Sequence, residues 1–169
     1  MKALRLSLSF FLLLAATAVV AQTPSQKSFD QLKSLAGAWE GKASEGKTVQ
    51  VSFRETASGS ALMSEIHGHG PENMISMFHM DGPNRLMLTH YCGAGNQPRM
   101  TGSASPDGKT ITFDFLDATN LSAPDAGHMQ RVVFTIVDAN HHTELWTFND
   151  HGNEMKELFD LHRSEVAQK

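Results

Sequence analysis

One cysteine, Cys92, is all that the 169 residues contain, and a lone cysteine forms no disulfide within its own chain. Its thiol is buried, reactive, metal-bound or paired with a second chain. Long apolar runs are equally scarce. After Val20 none approaches the roughly 20 residues that a membrane helix needs, so no membrane span is expected and the mature protein should be soluble. Basic residues are in the minority, 14 Lys and Arg against 18 Asp and Glu, with a pI near 6.1. That balance lacks the basic surface on which nucleic-acid binding depends and suggests no anionic membrane. No Gly-x-Gly-x-x-Gly, phosphate-binding loop or Gly-x-Ser-x-Gly elbow occurs, so nucleotide-binding and hydrolase signatures are missing. No segment repeats at a fixed period, which argues against a propeller or solenoid.

What is present starts with Met1-Lys-Ala-Leu-Arg5, followed by an apolar run from Leu6 to Val20. Its length and flanks fit a secretory signal peptide over residues 1–21, with Val19 and Ala21 as the small residues before the cut. Export to the periplasm or the medium is expected, and without a cysteine near the cut no lipid anchor is. Residues 22–28 read as a polar linker, 29–163 as one barrel domain and 164–169 as a tail, a length that fits a single core. Phe29, Leu32 and Leu35 before Gly37 suit one or two helical turns.

Beyond Gly37 the chain alternates polar and apolar residues between turn signals about every 8–12 residues, the pattern of an antiparallel barrel or sandwich. Ten strands are predicted, at 39–43, 48–56, 61–67, 73–80, 85–92, 98–104, 110–116, 128–137, 143–149 and 154–162. Closing them into an all-β, up-and-down barrel removes both sheet edges.

The stretch Arg85–Met100 reads as a hairpin around Ala94-Gly95. An even-numbered turn there sets His90 opposite Arg99 and Cys92 opposite Gln97. Four-residue and three-residue turns at 81–84 and 106–108 extend the face. It then collects Ile75, Met77, His79, Leu86, Leu88, His90, Cys92, Arg99, Ile111, Phe113 and Phe115. An apolar wall with a few polar groups suits a ligand cavity. A slip of one residue in any strand would turn its side chains outward. A buried Arg99 needs an anion, and Glu55, on a face with Val49, Val51 and Phe53, is a candidate partner. Arg99 at the barrel rim, reaching water, is the competing placement. In the last three strands both faces are half apolar, and Trp146 reads as core.

The segment Leu35-Ala-Gly-Ala-Trp-Glu-Gly-Lys-Ala43 resembles the opening of calycin-type barrels, with the lipocalin Gly-x-Trp present as Gly37-Ala38-Trp39. Ten strands and Gly41 are similar to the nitrobindin-like branch, although Ala43 stands where that branch continues with glycine. The middle stretch, from Thr89-His-Tyr-Cys92 to Asn96-Gln-Pro-Arg-Met100, resembles uncharacterised bacterial exported proteins of this type. The nitrobindin resemblance implies haem held by a histidine inside the barrel, without indicating which histidine.

Nine histidines invite a metal reading. His67 with His69, and His90 with Cys92, sit two apart and share a face; His141 and His142 follow a turn and read as solvated. His79, His90 and Cys92, with Met77 nearby, form the candidate set for a soft or borderline ion. No catalytic triad or oxyanion site can be assembled, so an enzyme is the less favoured reading. The expectation is an exported barrel binding a small, largely apolar ligand with a polar or anionic head. Arg99, His90 and His79 would orient that head, with Cys92 and Gln97 beside them and Met77, Leu86, Leu88, Phe113 and Phe115 as the wall.

Overall fold

The computed structural model describes residues 21–68 and 73–164. It is a closed antiparallel barrel of ten strands with one short helix, the architecture that the alternation predicts. The helix α1 spans Pro24–Lys33 and the strands are β1 (Gly37–Ala43), β2 (Thr48–Thr56), β3 (Ala61–His67), β4 (Met74–Met80) and β5 (Leu86–Tyr91). β6 (Gln97–Ala104), β7 (Thr110–Thr119), β8 (His128–Asp138), β9 (His141–Asp150) and β10 (Asn153–Arg163) follow. Each strand pairs with its predecessor, and β10 returns to β1.

The helix begins inside the segment read as a linker. Thr23 caps it, its Oγ1 accepting from the Gln26 N–H at 3.2 Å, and Pro24 occupies the first turn, where its missing N–H costs nothing. The helix then stops one end of the barrel. Phe29, Leu32 and Leu35 are buried, and the Thr23 and Ser25 hydroxyls donate to the carbonyls of Pro83 and Asn84 in the β4–β5 turn. Arg163 lies over the Trp39 ring at 4.4 Å and donates to the Ser34 and Ala36 carbonyls. The Trp39 indole N–H reaches the Leu35 carbonyl at 2.7 Å.

At Gly41 the β1 and β10 backbones approach too closely for any side chain: a Cβ there would lie 1.7 Å from the Asp160 carbonyl oxygen. This glycine permits the pairing that closes the barrel.

Three hairpin registers differ from expectation by one residue each. Asp81 N–H bonds the Arg85 carbonyl, leaving three residues between them instead of four, and Phe78 faces Leu88 while Ser76 faces His90. Cys92 N–H bonds the Asn96 carbonyl, leaving three residues between them, and Thr89 faces Arg99. Ser105 N–H bonds the Thr110 carbonyl, and Gly102 faces Phe113. Because strand side chains alternate, each slip turns one strand over relative to its neighbour. Thus β4 and β6 present Ser76, Phe78 and Met100 to the interior, while Met77, His79, Gln97 and Arg99 take the outer face. β7 is turned twice, so Ile111 and Phe113 are inside as expected.

Candidate functional site: a cavity at the end opposite the helix

The half of the barrel beneath α1 is packed solid. Leu86, Leu88, Phe78, Phe113 and Phe134 are buried there, with the Phe78, Phe113 and Phe134 rings in mutual edge contacts 5.4–6.1 Å apart. Towards the opposite end the packing gives way to a cavity of about 440 Å³, within the range of small-molecule sites. Ile66, Met74, Met129, Phe148 and Phe159 supply its apolar wall, and His90, Cys92, Trp146 and Glu157 also line it. Loops tie down its rim on one side: Asn96 donates to the Gly127 carbonyl at 2.8 Å and Asn120 to the Gly95 carbonyl at 2.6 Å.

His90 is the central polar group. Alternation along β5 carries Leu86, Leu88 and His90 inward in succession, and the β4 register brings Ser76 alongside. Ser76 Oγ and His90 Nδ1 are 2.9 Å apart, whereas His90 Nε2 is buried without a hydrogen-bond partner. Burial lowers the imidazole pKa to about 4, so the ring is neutral at physiological pH. A neutral imidazole carries one proton. If Nδ1 donates to Ser76, Nε2 offers a lone pair; if Ser76 donates, Nε2 carries the hydrogen.

A line of polar groups on β9 runs up to this histidine. His142 and Glu144 are fully buried, with His142 Nε2 3.1 Å from Glu144 Oε1. The other oxygen, Oε2, accepts from the Trp146 indole at 2.9 Å, and the Trp146 ring lies 4.9 Å from His90. His142 packs edge-on against Trp39 at 4.2 Å. This line was not legible in the sequence. His142, Glu144 and Trp146 do alternate on one face, but two apolar faces in these strands concealed which face is interior.

Glu157 was missed as well. It pairs with Trp146 across β9 and β10, which directs it inward, and its Oε1 is buried without a partner. The cavity therefore holds a neutral imidazole and a carboxyl group.

The predicted site residues divide. His90 and Cys92 meet in the cavity. Burial pushes the Cys92 thiol up, with the Ala94 backbone amide opposing, so it is a protonated thiol rather than a thiolate nucleophile. Leu86, Leu88 and Phe113 belong to the packed half. Phe115 sits partly buried against His128, ring centroids 4.4 Å apart. Arg99 does not enter the barrel: on the outer surface its Nε and terminal nitrogen bond both oxygens of Asp117 at 2.6 and 2.5 Å, and Glu55 is not its partner. Gln97 accepts from the Thr119 hydroxyl at 2.7 Å. His79 lies on the outer wall beside the Met80 carbonyl, with Met77 on the same face, so His79, His90 and Cys92 form no common metal set. His142 is interior and not solvated, and His69 lies outside the described residues.

No protein-family model and no curated protein matches the chain. Two of the solved structures that share its architecture illustrate the likeness. Rv2717c from M. tuberculosis superposes with a TM-score of 0.58 at 17% identity, over 82% of this chain and 98% of that one. A Nostoc punctiforme protein of unknown function from the DUF3598 family gives 0.54 at 13% identity, over 79% of this chain. The match spans only 49% of that second protein. At these identities the likeness is one of fold.

Proposed function

We propose that this barrel is a calycin-like carrier of a small, largely apolar molecule, held in the cavity at the end opposite α1. The observation that carries the proposal is the His90 Nε2 atom: buried, without a partner, and on the wall of an otherwise mostly apolar cavity. A buried nitrogen left unpaired costs about 1–3 kcal/mol, and a ligand that hydrogen-bonds it recovers that free energy. The closed ten-strand barrel and the Gly37-Ala38-Trp39 opening support the calycin-like affiliation. The charged run and apolar stretch of residues 1–21 support export.

The head group of the ligand differs from the anionic one expected of an interior Arg99. With Arg99 on the surface and Glu157 inside, a neutral or donor-bearing head fits better, since a buried anion beside a carboxylate is disfavoured. His90 would bond that head, Glu157 would accept from it, and Ile66, Met74, Met129 and Phe148 would enclose its apolar body.

Nile red, a neutral apolar fluorophore, tests the cavity, and native mass spectrometry of protein purified from its own host tests for a resident molecule. Saturable Nile red binding that is lost in Met129→Trp, which fills the cavity, is the expected result. Equal binding by the folded Met129→Trp variant would overturn the proposal. Haem is the second reading, favoured by the same Nε2 atom, which can offer a lone pair. It predicts a Soret band on hemin titration that shifts or disappears in His90→Ala.

A further inference from the structure

On the outer wall, away from the cavity, β9 and β10 bring two imidazoles and a carboxylate together. His141 and His162 are directly paired across the two strands, and Asp160 precedes His162 by two residues, on the same face. His141 Nε2 lies 2.7 Å from Asp160 Oδ1 and His162 Nε2 lies 3.8 Å from the same oxygen. The rings stack, centroids 4.3 Å apart and planes within 20°. Among the described residues this is the one group of three such side chains whose ligand atoms all fall within 4.8 Å of one another. The stacked pair keeps both Nε2 atoms within 4.8 Å of each other and of an Asp160 oxygen.

We propose that His141, Asp160 and His162 form a binding site for a divalent transition-metal ion of the zinc, copper or nickel class. Imidazole and carboxylate donors suit those ions. Metal–ligand bonds of about 2.0–2.2 Å place donor atoms roughly 3.3 Å apart, between the two distances seen here. A metal takes the place of the contact between His141 Nε2 and Asp160 Oδ1, and three protein ligands leave a coordination position for water. Two flanking carboxylates add favourable charge: Glu40 pairs with His162 from β1 and Asp138 with His141 from β8. Lys42, opposite Asp160, opposes it, although its ammonium is drawn aside to Thr48 Oγ1 at 2.8 Å. The strand–strand ladder pre-organises the set, because the three Cα positions are fixed before any ion arrives.

Zinc chloride and copper sulfate, titrated separately into metal-free protein at pH 7.5 with calorimetric detection, test the site. One ion per chain should bind, with affinity falling at least tenfold in each of His141→Ala, Asp160→Asn and His162→Ala. Copper electron paramagnetic resonance should show coupling to two nitrogens. Zinc should raise the melting temperature of the wild type and leave that of His141→Ala/His162→Ala unmoved. His90→Ala and Cys92→Ser should bind metal as the wild type does, which separates this site from the cavity. The proposal fails if the wild type binds no more metal than the folded double variant, or if His90→Ala or Cys92→Ser abolishes binding.

Discussion

Ser76 Oγ and His90 Nδ1 meet at 2.9 Å across β4 and β5, and this contact orients an imidazole that lines the cavity and whose second nitrogen is buried without a partner. One ring nitrogen is spent on positioning and the other is free for a guest. Ser76→Ala should therefore keep the fold and loosen the ring. The check is Nile red affinity, which should weaken, together with NMR line shapes of the His90 ring, which should broaden.

Stability should respond to His90 on the acid side of neutrality. The folded pKa, about 4, lies below the ordinary 6.5, so the unfolded chain takes up this proton first. The contribution is flat above pH 6.5 and is lost as pH falls towards 4, reaching on the order of 3 kcal/mol. Urea unfolding of the wild type and of His90→Gln across pH 7 to 4 should show the smaller loss in the variant. Parallel curves would mean that the ring protonates without penalty.

Arg99 should be dispensable to the cavity. Its guanidinium is exposed and bound to Asp117, and exposed pairs contribute little. Arg99→Ala should bind Nile red as the wild type does; a loss of binding would return Arg99 to the ligand site.

Removing the Glu144 carboxylate should be severe, because it satisfies two buried donors from His142 and Trp146. Glu144→Ala should cost roughly 3–5 kcal/mol in denaturant unfolding. Glu144→Gln, which keeps an oxygen for one donor, should cost less. Equal costs would show that cavity creation rather than donor loss dominates.

Barrel closure should depend on Gly41. A methyl group would collide with the Asp160 carbonyl, and backbone cannot yield as a flexible side chain can. Gly41→Ala should cost more than about 4 kcal/mol, the range of drastic single changes, and hydrogen exchange should accelerate first in β1 and β10. Normal protection there would mean that the strands separate without penalty.

The architecture was legible because it depends on local signals. Alternation in each strand, glycine and asparagine at the turns, and the absence of helical periodicity after Gly37 are all short-range properties. Leu86, Leu88 and His90 were placed on the right face because a single strand needs no partner to be read. Arg99, His79 and Met77 were misplaced because facing across a hairpin depends on loop length to the residue. At 81–85, 93–95 and 106–109 an odd or even count hinged on which backbone N–H closed the turn. His141 and His162, 21 residues apart, carried no joint signal at all.

Composition and patterning by themselves determined an all-β chain without an internal disulfide, with ten strands and a buried-face preference for each strand taken alone. Only the closed barrel decided which polar groups share the interior. A slip of one residue costs a strand little in its local hydrogen bonding, yet it reverses every side chain. The choice is settled by packing around the whole ring, where Ser76 must meet His90 and Phe78 must pack against Phe113 and Phe134.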